Sequence, residues 1–325
     1  MKVFYSAEQK AHNPETFIVA GAQKDIPEVP ERADRLLAGI ERSGLQPEVP
    51  PDRGLGPLAA VHTPEYLEFL QSIHAQWQAL GGSQDVAPNI HPDRRDCVYP
   101  ASPVGRAGYH LGDAACPVAA ETWKAVYASA QAAVAAAVEV RDGAQEAYAL
   151  CRPPGHHAGK DMASGFCYLN NAAVAVEILR ERHARVATLD VDLHHGNGTQ
   201  SVFYRRDDVL TVSIHADPDH FYPFFWGHAA ERGEGAGLGY NLNLPLPLKS
   251  GDGAFVAALE SALTRIRAFA PGALVVSLGL DASEDDPFGG LTVTPAGFER
   301  IGTAVGRLGL PTALIQEGGY VSDTL

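Results

Sequence analysis

A short stretch of the chain, ATLDVDLHHGNGTQ at positions 187–200, combines carboxylate and imidazole side chains. An apolar run leads into Asp190, Asp192 and His194 and stops at Gly196. Because side chains alternate along a strand, we expect these three potential ligands to point the same way. Carboxylates and imidazoles at the carboxyl end of a strand are typical of transition-metal sites in α/β proteins. The stretch therefore predicts part of a metal centre.

Three further loops follow apolar runs and carry groups that could do chemistry. CRPPGHHAG, at 151–159, presents His156 and His157 after two stiff prolines and a glycine turn. SLGLD, at 277–281, ends in a carboxylate, and EGGY, at 317–320, ends in a phenol. Taken singly, each has a plain structural explanation. A histidine pair can cap or pack, a lone aspartate can cap a helix, and a tyrosine after a turn can pack.

Together, the four loops supply the groups needed for metal-dependent hydrolysis. Asp192, His194 and Asp281 could hold a metal and leave one coordination position open. The histidine pair could act as base and acid, while Tyr320 could polarise a carbonyl group. A nicotinamide site is not predicted, because GEGAGLG at 233–239 does not join a strand to a helix. The sequence also has no HExxH, P-loop or GxSxG pattern.

Apolar, β-branched runs alternate with helical patterns along the chain. This alternation predicts an α/β fold: a doubly wound, mostly parallel sheet flanked by helices. The predicted strands are 2–5, 147–151, 185–191, 209–215, 273–280 and 312–316. The predicted helices are 30–43, 64–80, 119–140, 170–182, 252–269 and 295–308, with helix-start chemistry at Thr63–Pro64 and Thr294–Pro295.

The 325 residues contain no linker, repeat or low-complexity run, so we expect a single catalytic domain over 1–325. The segment at about 81–108 is rich in proline, aspartate, arginine and glycine and shows no period. It is predicted to be a long loop insertion, of the kind that often serves function or assembly.

The composition excludes several classes of protein. A formal charge of −14 argues against nucleic-acid binding and is compatible with a small cationic substrate. The four cysteines form no CxxC pair, which favours reduced cytoplasmic thiols over a disulfide framework or a zinc ribbon. No apolar run approaches ~20 residues and the first residues lack an apolar signal core, so we expect a cytoplasmic enzyme with no membrane span.

The motifs RPPGHH, DVDLHHGNGTQ, VSIH, SLGLD and EGGY occur in this order along nearly the whole chain. In this combination the sequence resembles the histone deacetylase family, which has the arginase/deacetylase fold. Within that family it is most similar to bacterial acetylpolyamine amidohydrolases, through Asn197 and the long 81–108 segment. The resemblance implies one Zn²⁺ per chain, with Fe²⁺ or Co²⁺ as possible substitutes, and a structural K⁺ or Na⁺. It also implies a homodimer formed through the 81–108 loop. The relatives continue into a final helix beyond the position that matches Leu325.

The resemblance assigns catalytic roles to individual residues. His157 matches the general base that later acts as general acid, and His156 matches its electrostatic partner, backed by Asp190. Asn197 lies where relatives often carry an aspartate behind the second histidine, so it should favour the imidazolium form of His157 less strongly. Tyr320 matches the residue that donates a hydrogen bond to the scissile carbonyl. The residues that match the zinc ligands are Asp192, His194 and Asp281.

The resemblance also implies a substrate tunnel and a monovalent-cation site. The tunnel walls match Gly165, Phe166 and Tyr222. The cation site matches Asp190 and Ser213 together with backbone carbonyls of Asp192, His194 and Ile214. Two acidic positions expected of the polyamine enzymes are absent, since the chain has Ala115 and Val104 there, with Asp113 and His110 close by in sequence.

These observations predict a zinc-dependent amidohydrolase that converts acetylated small cationic amines to acetate and free amine. The alternative is a lysine deacetylase acting on peptides or proteins, which a dimeric 81–108 loop roofing the tunnel would exclude. A binuclear manganese ureohydrolase of the same fold would need further bridging ligands, and the paired histidines and Tyr320 argue against it. A non-enzymatic binder of acylated amines would typically lack a metal ligand or the tyrosine.

Overall fold

A parallel β-sheet forms the centre of the computed structural model, which describes residues 1–93 and 96–325. The strands are β1 Lys2–Phe4, β2 Thr16–Val19, β3 Ala22–Asp25, β4 Pro47–Glu48, β5 Glu146–Ala149, β6 Val186–Asp190, β7 Val209–Ala216, β8 Asn241–Leu246, β9 Ala273–Leu278 and β10 Thr312–Gln316. The helices are α1 Glu31–Arg42, α2 Gly56–Ala59, α3 Pro64–Ala79, α4 Pro103–His110, α5 Thr122–Arg141, α6 Asn171–Arg180, α7 Asn197–Phe203, α8 Asp252–Phe269 and α9 Pro295–Gly306.

Within the described ranges the sheet has eight strands in the order β4-β1-β5-β10-β9-β6-β7-β8, and every pairing in it is parallel. The predicted α/β fold with a doubly wound sheet is confirmed. One core contains α3, α5 and α6, and α5 packs closely through its many small side chains, including Ala130 and Ala132 to Ala137. A second core contains α8 and α9 packed on β6, β7 and β9. All the inner strands are therefore covered by helices, as their apolar sequences require.

Two predicted helix starts are confirmed. The Thr63 hydroxyl accepts a hydrogen bond from the backbone N–H of Tyr66 at 3.3 Å, and Pro64 occupies the first turn of α3. The Thr294 hydroxyl accepts from Gly297 N at 3.1 Å at the start of α9. In both cases a side chain satisfies a backbone donor that the helix leaves without a partner.

The structure differs from the sequence-based expectation in the 81–108 segment. Val86 forms a backbone bridge with Val118, and the residues from Pro103 onward form α4 instead of a loop. Proline at the first helical position suits a helix start, because its missing N–H would have no intrahelical partner there. Residues 94 and 95 of this segment lie outside the described ranges.

Four strands were not predicted: β2, β3, the two-residue β4 and β8. The antiparallel hairpin of β2 and β3 is short and has a polar second strand, AQKD. Edge strand β8, NLNLPL, carries asparagines and a proline, which weaken the strand pattern but are tolerated at an edge.

The expectation that Asp192 and His194 continue the alternation of a strand is wrong. Strand β6 ends at Asp190, and the chain then turns. The direction of these two side chains is therefore set by the loop and not by strand geometry.

Candidate active site

The candidate site lies beyond the carboxyl ends of the adjacent strands β6, β9 and β10. Asp190, the last residue of β6, is in register with Ser277 of β9, so the loops after these strands begin at the same level. Strand β10 pairs on the other side of β9, which places Glu317 beside them. The parallel arrangement thus gathers DVDLHH, SLGLD and EGGY at one edge of the sheet.

The three predicted metal ligands are brought together. Asp192, His194 and Asp281 are buried, and they offer ligand atoms within 4.8 Å of one another. The Nδ1 atom of His194 lies 3.0 Å from Asp281 Oδ2 and 3.2 Å from Asp192 Oδ1. Backbone N–H groups orient both carboxylates through hydrogen bonds. Leu193 N donates to Asp281 at 2.8 Å, and Gly318 N donates to Asp192 at 2.7 Å.

Two glycines provide the room for these carboxylates. A Cβ atom on Gly318 would lie 2.2 Å from Asp281 Oδ2, and one on Gly279 would lie 2.2 Å from Asp192 Oδ2. In the described part of the chain, no lysine or arginine forms an ion pair with Asp192 or Asp281. Two neighbouring buried carboxylates repel each other unless a cation is shared between them. Their donor set, two carboxylates and one imidazole, therefore fits a divalent metal.

His156 lies between the metal-ligand cluster and Asp190. Its Nδ1 atom is 2.9 Å from Asp190 Oδ2, and Gly196 leaves space for this contact, since a Cβ there would be 2.3 Å from the same oxygen. Burial lowers the pKa of His156, but Asp192 and Asp190 outweigh it, so the pKa is raised well above the ordinary histidine value. His156 is therefore suited to carry a positive charge.

His157 has a neutral partner instead. Its Nδ1 atom lies 2.6 Å from Asn197 Oδ1. Because the amide oxygen can only accept, Nδ1 donates and the Nε2 atom of a neutral ring keeps a lone pair. Burial, the neighbouring His156 and then His194 lower the pKa of His157 well below the ordinary value. A neutral imidazole of this kind can accept a proton.

Tyr320 is held by residues that the sequence analysis did not identify. Its backbone N–H donates to Asp286 Oδ2 at 3.0 Å, and the guanidinium of Arg32 lies 4.7 Å from the centre of its ring. Arg32 also donates to the backbone carbonyls of Glu317 and Gly319. Burial raises the pKa of Tyr320 well above its ordinary value, so the phenol keeps its proton and can donate it in a hydrogen bond.

The predicted tunnel residues lie beside His157 and Tyr320. The rings of Tyr222 and His157 are 5.0 Å apart, and the rings of Phe166 and Tyr320 are 6.0 Å apart. Gly165 has a φ angle of +53°, and a Cβ there would lie 2.5 Å from His157 Cδ2, so only glycine fits without rearrangement.

Two aromatic residues extend this wall without having been predicted. Phe17, on the unpredicted strand β2, packs against Phe166 with ring centres 5.5 Å apart, and Phe288 packs against Tyr320 at 4.8 Å. Ala115, where an acidic residue was expected, is half-buried in this apolar cluster. Val104 lies on α4.

Asp113 was noted in the sequence only as a neighbour of Ala115, but it contacts two of the predicted tunnel residues directly. Its Oδ2 atom accepts hydrogen bonds from the Tyr222 hydroxyl at 2.7 Å and from Gly165 N at 3.0 Å. Burial raises the pKa of Asp113, while its hydrogen bonds oppose the shift. No motif could have identified this contact, because the partners are 109 and 52 residues away in sequence.

The predicted monovalent-cation residues lie on β6, on β7 and in the loop after β6. Asp190 is in register with Ser213, and Ile214 follows on β7. Asp190 Oδ1 accepts from Asp192 N at 3.1 Å, and Ser213 Oγ lies 2.7 Å from His215 Nδ1. Their assignment as cation ligands stays a prediction.

Comparison with known proteins places this arrangement in a family. The model of the histone deacetylase domain matches residues 26–325. An acetylpolyamine amidohydrolase of Burkholderia pseudomallei is 49% identical, over 100% of this chain and 95% of its own length. Acetylpolyamine amidohydrolase 1 of Pseudomonas aeruginosa is 46% identical, over 99% of this chain and 94% of its own.

Solved structures agree with the sequence comparison. A crystal structure of acetylpolyamine aminohydrolase from Burkholderia pseudomallei superimposes with a TM-score of 0.96 at 50% identity, covering 98% of this chain and 94% of that one. The HD domain of HDA15 gives a TM-score of 0.79 at 29% identity, covering 98% and 84%. The chain therefore belongs to the histone deacetylase family and is a deacetylase hydrolase.

Proposed function

We propose that this protein removes the acetyl group from small cationic amines of the acetylpolyamine type, releasing acetate and the free amine. The observation that carries the chemistry is the position of neutral His157 beside the buried cluster of Asp192, His194 and Asp281. The substrate class is supported by four relatives at 38 to 49% identity that are called acetylpolyamine amidohydrolases.

Zn²⁺ is the metal that we propose for this site. Asp192, His194 and Asp281 would hold it, and Fe²⁺ or Co²⁺ could use the same ligands. When bound, the ion would supply Lewis-acid activation of the acetamide carbonyl and of the attacking water.

The chain's own groups account for the proton transfers. His157 Nε2 accepts a proton from the water as its oxygen attacks the carbonyl carbon, while Asn197 holds the opposite ring nitrogen. The Tyr320 hydroxyl donates a hydrogen bond to the oxygen on which negative charge develops. His157 then returns the proton to the nitrogen of the leaving amine as the C–N bond breaks. Water and the amide are thereby converted to acetate and amine.

A tunnel between aromatic side chains would suit an unbranched substrate. This part of the proposal is supported by Tyr222, whose ring lies beside His157, by Phe166, whose ring lies beside Tyr320, and by Gly165, which leaves room for the His157 ring. Methylene groups pack favourably against ring faces, and a narrow aromatic passage excludes water from the reacting atoms.

We further propose one catalytic domain that binds a structural K⁺ or Na⁺ and forms a homodimer through the 81–108 segment. The proposed cation site is supported by the pairing of Asp190 on β6 with Ser213 on β7, which places two of the predicted ligands side by side. The dimer is supported by apolar side chains exposed on that segment, Ile90 at 60% and Val98 at 88%.

A cytoplasmic location is supported by cysteines that are all free thiols. Among the described residues, none of the helices is long and apolar enough to cross a bilayer.

The test compares kcat/KM for acetylputrescine and for an acetyl-lysine peptide with zinc-loaded enzyme at fixed ionic strength. A strong preference for acetylputrescine is expected. A preference for the peptide would overturn the substrate proposal and identify a lysine deacetylase. Removing the metal with a chelator should abolish activity on either substrate, and adding zinc should restore it. This result tests the metal dependence of the reaction independently of the substrate preference.

A further inference from the structure

Glu317 begins the EGGY motif, yet its carboxyl group takes no part in the proposed proton transfers. The residue follows strand β10 directly and is fully buried. Its Oε2 atom accepts hydrogen bonds from Gly155 N at 2.6 Å and from His156 N at 3.0 Å, across 162 and 161 residues of sequence. The side chain therefore joins the tyrosine loop, residues 317–320, to the histidine loop, residues 151–159.

The backbone beside this carboxyl group is fixed to the metal-ligand cluster. Glu317 N donates to Leu278 O at 2.9 Å, and Leu280 N donates to Gly318 O at 3.0 Å, so the tyrosine loop is tied to the end of β9. Gly318 N also donates to Asp192 Oδ2 at 2.7 Å. Two consecutive residues thus contact a metal ligand through the backbone and the histidine loop through a side chain.

The turn of the histidine loop is closely packed. A Cβ atom on Gly155 would lie 2.5 Å from Asn171 N and 2.6 Å from Leu169 O, so the turn lies against the start of α6. The backbone N–H groups of Gly155 and His156 point to Glu317. Because the ring centres of His156 and His157 are only 4.1 Å apart, a displacement of this turn would move both imidazoles.

Glu317 acts as a hydrogen-bond acceptor more than as a charge. Burial raises the pKa of Glu317 to about 8, against the opposing effect of His156, so most of these carboxyl groups are protonated at neutral pH. The buried Oε1 atom has no hydrogen-bond partner, whereas Oε2 has two donors. The required feature is thus one acceptor oxygen with two lone pairs, which a glutamine amide could also supply.

We propose that Glu317 is a positioning residue, whose side-chain oxygen holds the histidine loop where His157 can accept a proton from the attacking water. This inference rests on the proposed role of His157 as the base. It is independent of the identity of the amine, because the fully buried Glu317 acts on the loop.

The experiment measures kcat, KM and zinc affinity in Glu317→Leu, which removes both acceptor contacts and keeps most of the side-chain volume. We expect kcat to fall by about tenfold to 100-fold, because a small displacement of a catalytic group is costly. KM should change by less than about twofold, since substrate binding does not use the base. Zinc affinity, from competition with a chelator, should change by less than about tenfold, because Gly318 N still orients Asp192.

Two further variants separate positioning from general support of the fold. Glu317→Gln keeps an acceptor oxygen and should retain most of the wild-type kcat. Tyr66→Phe removes a buried hydroxyl that donates to Tyr168 O at 2.6 Å, so it should lower the thermal unfolding temperature without changing kcat. If Glu317 only stabilised the fold, Glu317→Leu would behave like Tyr66→Phe.

Three results would overturn the inference. They are an unchanged kcat in Glu317→Leu, a loss of zinc in proportion to the loss of kcat, and a kcat in Glu317→Gln as low as in Glu317→Leu. If Glu317→Leu does not fold, judged by its thermal unfolding, Glu317→Asp decides, because its carboxyl group is withdrawn by one methylene. A lower kcat with an unchanged KM supports the inference, and a wild-type kcat overturns it.

A second substrate separates this inference from the proposed function. The same constants are measured with acetylputrescine and with the acetyl-lysine peptide, and the fractional loss of kcat should be similar on both. If the wild-type enzyme does not turn over acetylputrescine, the proposed substrate class is overturned. The peptide kinetics then decide the role of Glu317 independently.

Discussion

The Nδ1 atom of His157 lies 2.6 Å from the amide oxygen of Asn197. The adjacent His156 is instead paired with a carboxylate, Asp190, at 2.9 Å. An amide orients an imidazole without adding negative charge, whereas a carboxylate favours the imidazolium. Asp192 together with Asp190 raises the pKa of His156, whereas burial and the neighbouring His156 lower the pKa of His157, which has only the neutral amide behind its ring. His157 is therefore the one suited to act as a base.

Replacing this amide with a carboxylate should change the pH profile. In Asn197→Asp the new charge would raise the pKa of His157, which is lowered in the native protein by burial and by His156. The base must be unprotonated, so the acidic limb of kcat/KM should move to higher pH, by about one unit or more. A pH profile on acetylputrescine measures the shift. An unmoved limb would show that His157 is not the titrating base.

Removing the Tyr320 hydroxyl should reduce turnover with little effect on binding. Tyr320→Phe keeps the ring that packs against Phe288 and lies beside Arg32, but it loses the donor to the developing oxyanion. We expect kcat to fall by about 10²-fold or more. Steady-state kinetics would measure the change, with Tyr127→Phe, a tyrosine near Asp52, as the control. An increase in KM with an unchanged kcat would contradict this role.

The backbone at Gly318 should be essential for metal binding. In Gly318→Ala the added methyl would lie 2.2 Å from Asp281 Oδ2, so the carboxylate would have to move. Metal affinity, measured by competition with a chelator, should fall together with activity. Gly302→Ala, on α9, is the matched control because nothing lies within 4 Å of the added carbon there. Equal metal affinity in the two variants would show that the metal site does not require a glycine at position 318.

The number of metal ions should be one per chain. The described ligands that we assign to the metal are Asp192, His194 and Asp281. Elemental analysis of purified protein should find one equivalent, and Asp281→Asn should lose most of it, since one charged ligand becomes a neutral amide. Two equivalents in the wild-type protein would instead point to a binuclear centre.

Acid should destabilise the fold partly through a histidine remote from the metal site. Burial lowers the pKa of His62 from 6.5 to about 4, against weaker opposing contributions from backbone carbonyls. The unfolded state then binds a proton more readily than the folded state. Above pH 6.5, the pKa of His62 in the unfolded chain, this difference does not reduce the free energy of unfolding. As the pH falls from 6.5 towards 4, the free energy of unfolding decreases by about 3 kcal/mol in total.

This contribution can be isolated by mutation. The free energy of unfolding should depend less steeply on pH in His62→Gln than in the wild-type protein over that interval. His220→Gln, an exposed position, serves as the control. Parallel curves for His62→Gln and the wild-type protein would rule out His62 as a source of the acid sensitivity.

Local sequence determined the longer regular elements and the motif-bearing loops that follow them. The apolar run before Asp190 predicts β6, and Thr63–Pro64 predicts the start of α3, because strand burial and helix capping depend on neighbouring residues. The motifs that contain His157 and Asp281 could be identified for the same reason. Their presence after predicted strands of one parallel sheet was sufficient to place them at a common edge.

Only the tertiary structure decided which distant side chains support these loops. Arg32 reaches the carbonyls on both sides of Gly318, Asp286 holds the backbone of Tyr320, and Asp113 contacts Tyr222 across 109 residues of sequence. None of these residues lies in one of the catalytic motifs, and the helical pattern around Arg32 does not show which loop its side chain contacts. Such contacts depend on the packing of whole elements against one another, and the energy of that packing is not encoded in any short segment.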